Sequence, residues 1–135
     1  DTIERGIRHA RDISRTSLLL HNELGINNIP SNLVSLIQMM NNQLMDLISN
    51  IFESVNSKSD LNIDYVSNKW EEIGKTWENC QDTISVIPGT EIGSKSGRLN
   101  LFRAISRMER TGYNFVRFAD HWHHALNNEW ISIEN

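Results

Sequence analysis

The sequence predicts an all-α fold, four long amphipathic helices packed as an antiparallel up-down-up-down four-helix bundle. Three observations predict it. Apolar residues recur at alternating spacings of four and three through most of the chain, two prolines leave long stretches uninterrupted, and glycine-, proline- or serine-marked breaks fall where the apolar stripes stop. At 135 residues the chain is expected to form one domain spanning 1–135, with a core large enough to need neither disulfide nor metal.

The first helix is expected over about 2–24. Asp1 with Glu4 has the pattern of a capping box, and Ile3, Ile7, Ala10, Ser14, Ser17, Leu20 and Leu24 then form one stripe, weakened by its two serines. Gly25 suits a left-handed C-terminal cap. The second helix, about 32–56, follows a Ser31 cap and carries Leu33, Ile37, Met40, Leu44, Ile48, Ile51 and Val55, with Leu36, Leu47 and Phe52 widening the apolar arc. The third, about 60–87, is capped by Ser59 or Asp60. Its stripe Val66, Trp70, Ile73, Trp77, Cys80, Ile84, Ile87 is a strict heptad seam, which puts both tryptophans in the core.

Pro88-Gly89 stops the third helix, and 88–97 is expected to be the mobile loop of the domain. The fourth helix, about 98–128, repeats the seam as Leu101, Ile105, Met108, Gly112, Phe115, Ala119, Trp122 and Leu126. A mid-helix glycine costs about 1 kcal/mol against alanine, so Gly112 on the seam predicts a large side chain from a facing helix in the gap. Antiparallel register places that gap between the level of Trp77 with Met108 and that of Trp70 with Phe115. Topology follows from reach. A helix of about 28 residues is about 42 Å long and a ten-residue connection spans at most about 36 Å, so each helix must run antiparallel to the one before it.

Composition narrows function. The longest aliphatic run is Leu18-Leu19-Leu20, far below the roughly 18 to 20 apolar residues of a membrane span, so no membrane partner is expected. A formal charge of −4 disfavours a general nucleic-acid binder. One cysteine, Cys80, excludes an intrachain disulfide, and no Asn-x-Ser/Thr site occurs; both suggest an intracellular, cytoplasmic setting. With Asp1 in first place, the chain reads as a processed form or as part of something longer.

No convergent catalytic set stands out, and the expected protein is not an enzyme. The weak metal candidates are His121, His123 and His124, but the core positions Ala119, Trp122 and Leu126 turn His121 and His124 outward and leave His123 at the seam's edge. Buried di-iron bundles carry inward Glu-x-x-His motifs, which this sequence lacks. A haem reading through Met39, Met40, Met45 or Met108 lacks a Cys-x-x-Cys-His attachment motif, so no cofactor is expected.

The stronger signal is charge. Arg103, Arg107, Arg110, Asn114, Arg117, His121 and His124 advance by fours and threes as one polar ridge on the fourth helix. Arg8, Arg11 and Arg15 share a face of the first helix, its neighbour in an up-down-up-down bundle. The third helix is acidic, with Asp60, Asp64, Glu71, Glu72, Glu78 and Asp82 against Lys69 and Lys75. The leading expectation is a non-enzymatic interaction module or assembly subunit that presents helix faces to a protein or nucleoprotein partner. Its rivals are a nucleic-acid backbone binder using the arginines and a metal- or haem-binding bundle. The bland account of the ridge is a solvated face laced by local pairs, Asp12 with Arg8 or Arg15 and Glu109 with neighbouring arginines.

Overall fold

The computed structural model describes residues 29–88 and 95–127. Among them the chain is all-helical, with three helices and no strand: α1 (Ser31–Asn56), α2 (Ile63–Val86) and α3 (Lys95–Asn127). The helix expected over 2–24, with Arg8, Arg11 and Arg15, lies outside the described residues, as does 89–94 of the expected loop. Residues 95–97 of that loop are instead the first turn of α3.

The caps differ from expectation by a few residues, each for a local reason. α1 is entered from Pro30, whose carbonyl accepts the N–H groups of Leu33 and Val34 at 3.1 Å each, so Ser31 is already helical and makes no cap. Its far end closes as a Schellman turn. The Lys58 N–H meets the Val55 carbonyl at 3.2 Å and the Ser59 N–H meets that of Ser54 at 3.0 Å, with Lys58 left-handed at φ 53°. α2 is capped by Asn62, whose side chain accepts the Tyr65 N–H at 3.1 Å. Asp60 receives the Leu61 N–H instead, at 2.8 Å.

Contacts between helices fix their directions. Thr76 Oγ1 lies 3.8 Å from Met39 Sδ and Lys69 Nζ 3.9 Å from Asp46, so α1 and α2 run antiparallel. Arg98, early in α3, donates to the carbonyls of Ile84 and Ile87 at the end of α2, satisfying groups a helix terminus leaves open. Trp122, late in α3, donates through Nε1 to the Ser59 carbonyl at 2.9 Å. α2 and α3 are therefore antiparallel too, and the three helices run up, down, up.

Their apolar stripes meet in two clusters. Leu33, Cys80, Ile84, Leu101 and Ile105 fill one end, and Leu44, Leu47, Ile51, Val66, Ile73, Val116 and Ala119 fill the other, with Phe52 edge-on to Phe115 at 5.7 Å. Side chains of α1 and α2 close in on α3 at Gly112: a Cβ built there would stand 2.6 Å from Cζ3 of Trp70 and 2.8 Å from Cδ2 of Leu44. The gap is thus filled as expected, though Trp70 itself sits at the glycine's level and not one step beyond it. Trp70 and Trp77 are partly buried, not sealed in the core, and Leu126 is 44% exposed where the chain leaves the seam. No helix among the described residues is long and apolar enough to cross a membrane.

Candidate functional site

The histidines at the end of α3 separate by role. His121 is exposed and His124 half-buried, so only the former keeps the outward position expected of both. His123 is 2% exposed, and its Nδ1 lies 2.8 Å from Asp60 Oδ1. An ionised carboxylate only accepts, so Nδ1 carries the proton and donates. Asn127 Nδ2 donates to the other carboxylate oxygen at 2.7 Å. Burial pushes the Asp60 carboxyl up, but the hydrogen bonds from His123, the Leu61 N–H and Asn127, with attraction to His123, outweigh it and hold the group below its usual range. This cluster ties the α1–α2 turn to the end of α3. Among the described residues no three His, Cys, Asp or Glu side chains gather as metal ligands.

Cys80 is fully buried, and burial pushes its thiol up to about 11, which leaves it protonated near neutrality. Asp120 is 4% exposed and Asn114 2% exposed; among the described residues Oδ1 of the first and Nδ2 of the second have no hydrogen-bond partner. Asn114 thus leaves the solvent-facing ridge on which its spacing places it. Thr111 beside it is buried, with Oγ1 turned back to the Arg107 carbonyl at 2.9 Å.

The arginines of α3 do come together. Phe102, Arg103, Ser106, Arg107 and Arg110 line a shallow open groove of about 330 Å³ along the outside of the helix. One turn on, Tyr113 lies between two cations, with the Arg110 guanidinium 5.8 Å and the Arg117 guanidinium 5.9 Å from its ring centre. The ion pairs among the described residues are Lys69 with Asp46 and Glu72, Lys75 with Glu71, and His123 with Asp60, so Arg103, Arg110 and Arg117 are not paired with carboxylates there. Glu109, the expected local partner, is half-buried, and burial pushes its carboxyl up against the opposing pull of Arg110.

α2 presents the opposite charge. Asp64, Glu71, Glu72, Glu78 and Asp82 are all exposed. Lys75 is tied to Glu71 at 3.2 Å, and Lys69 to Glu72 at 3.2 Å, the contact that chiefly raises the lysine's pKa. Sequence spacing found the arginines but missed Phe102, Ser106 and Tyr113. The signal was present, since Tyr113 follows Arg110 by three and precedes Arg117 by four. The Asp60–His123–Asn127 cluster gave no such signal, because its members are 63 and 67 positions apart.

No protein-family model, curated protein or solved structure matches the chain.

Proposed function

We propose that this chain is a non-enzymatic helical interaction module, a subunit that docks an anionic surface of a protein or nucleoprotein assembly against the outer face of α3. The observation that carries the reading is the groove lined by Arg103, Arg107 and Arg110, continued by the Arg110–Tyr113–Arg117 stack. Guanidinium groups suit bidentate contact with carboxylate or phosphate, and a helix holds them at fixed intervals. The side chains that would otherwise suggest chemistry already have structural work: Cys80 is packed in the core and His123 is held by Asp60.

The same reading closes the domain as a four-helix bundle, with residues 1–24 as its fourth helix. Support comes from the burial of Asn114. That residue is turned about 200° round α3 from Gly112, where α1 and α2 both approach, and yet is 2% exposed. Arg8, Arg11 and Arg15 would then extend the cationic face. An intracellular, cytoplasmic setting fits a reduced Cys80.

Fluorescence anisotropy with a labelled Asp/Glu-rich peptide and a labelled single-stranded RNA tests the reading. Wild-type protein is expected to bind at least one at low salt, and Arg103→Glu with Arg110→Glu, both exposed, to abolish binding with the melting curve nearly unchanged. Binding unaffected by that double reversal refutes it.

A further inference from the structure

Gly74 marks an open groove between α2 and α3, clear of the face that Asn114 occupies. Its side of α2 is fixed by its neighbours. Lys69 reaches Asp46 of α1 at 3.9 Å, and Trp70, about 100° further round the helix, meets Gly112 of α3. Gly74 and Glu71 lie about 40° and about 100° beyond Trp70 in the same sense, on the outer side of α2 that borders α3. On α3, Phe115 turns to Phe52 of α1 about 60° to one side of Gly112, and Tyr113 lies about 100° to the other, towards α2. Asn114 is about 100° beyond Tyr113 again, away from α2.

The groove has a gap in its floor and opposite charges on its rims. A Cβ built on Gly74 would meet nothing within 4 Å, and Trp70 and Trp77, about one turn to either side of it, are partly exposed. Trp70 is level with Gly112 and Ile84 with Arg98, so Glu71 comes level with the turn of Arg110 and Glu78 with that of Arg103. All four of these charged side chains are exposed. Among the described residues no ion pair joins either glutamate to either arginine, so the two rims flank open space and do not close over it. Lys75 is turned about 100° further outward than Gly74 and is tied to Glu71 at 3.2 Å.

Each rim repeats after seven residues, a rise of about 10.5 Å, which is also the repeat of a helix laid along the groove. We propose that the partner of the α3 face is an amphipathic helix of another protein, seated in the groove between α2 and α3. Its carboxylates face Arg103 and Arg110, its lysines or arginines face Glu71 and Glu78, and an apolar side chain covers Gly74. The proposal rests on the docking role of the α3 face set out above and names its occupant. Nucleic acid fits this groove less well. Helices packed about 8–10 Å apart put the α2 carboxylates within about one Debye length of any phosphate held by the arginines, whereas a mixed-charge helix offers each rim the opposite sign.

The probe is a synthetic helical peptide of three heptads, with leucine along its centre, glutamate along one flank and lysine along the other. Its binding to the full chain is read by fluorescence anisotropy at about 50 mM salt. It is expected to bind at least about tenfold more tightly than single-stranded RNA, and than a peptide of the same composition with the two charges mixed on both flanks. Gly74→Leu, which fills the gap, should weaken that binding at least about tenfold while urea melts show no loss of stability. Glu71→Lys with Glu78→Lys should weaken binding of the peptide and strengthen that of the RNA. Equal binding of the two peptides, tighter binding of the RNA, or peptide binding indifferent to either α2 change overturns the proposal. If Arg103→Glu with Arg110→Glu still abolishes binding in that case, the docking role stands and only the groove falls; if it does not, both fall.

Discussion

Two glycines in helices show what decides the effect of a methyl group. Gly74 has nothing within 4 Å of a Cβ built on it, so Gly74→Ala should gain only helix propensity and stabilise the fold by about 0.8–1 kcal/mol. Gly112 meets Trp70 at 2.6 Å and Leu44 at 2.8 Å, and a stiff indole cannot move aside cheaply. Gly112→Ala should therefore lose about 1–2 kcal/mol net, overpacking outweighing propensity, and Gly112→Leu more. Urea melts of the two alanine variants should move in opposite directions, and equal shifts would contradict the packing at Gly112. Lys58 is a third position of this kind. Its left-handed backbone costs a non-glycine residue about 1–2 kcal/mol, so Lys58→Gly should raise stability by roughly 0.5–1 kcal/mol after the entropy of glycine is counted. Gly112 was legible in the sequence because a glycine on an apolar seam contradicts propensity. Lys58 was not, because nothing about a lysine marks the left-handed position of a Schellman turn.

At the scale of helices, the apolar stripes located all three described elements, and the errors gathered at their ends. Ser59, Asp60 and Asn62 are all able caps, so sequence could not choose among them; Asn62 caps while Asp60 is taken by Leu61 and His123. That tie between the α1–α2 turn and the end of α3 has a pH signature. Asp60 is held below its ordinary 3.8 when folded, so its contribution is present above the unfolded value and is lost as pH falls through the lower folded value. Asp60→Ala leaves the buried His123 Nδ1–H without its acceptor and should cost about 1–2 kcal/mol near neutrality, the low end of the range for an orphaned donor because the carboxylate is partly exposed. The gap between wild type and variant should close as pH drops below about 4 in thermal melts. A gap constant from pH 7 to 2 would show that the ionised carboxylate is not what His123 needs. Trp70 and Trp77 illustrate a different limit. Periodicity placed both on the seam, and both pack against the core, but their size leaves each partly exposed.

For the whole molecule, the arrangement of charge matters more than its sum of −4. Among the described residues arginines line the outer face of α3 and carboxylates that of α2, so a modest net charge conceals a surface on which the two signs are separated. The arginine spacing was legible in the sequence, and so was the acidity of α2. The burial of Asn114 within the ridge was not, because it depends on tertiary packing that one helix's periodicity does not contain. Charge reversals on the exposed face should shift stability by no more than about 0.5 kcal/mol, which separates loss of docking from loss of folding. The central claim, that α3's outer face is the docking surface, is tested most directly by an NMR titration of the full chain with the Asp/Glu-rich peptide at low salt, following the arginine Nε–H and backbone amide signals. The account predicts saturable shifts concentrated at Arg103, Arg107, Arg110, Tyr113 and Arg117; shifts centred on α2, or none at that face while binding occurs, would contradict it.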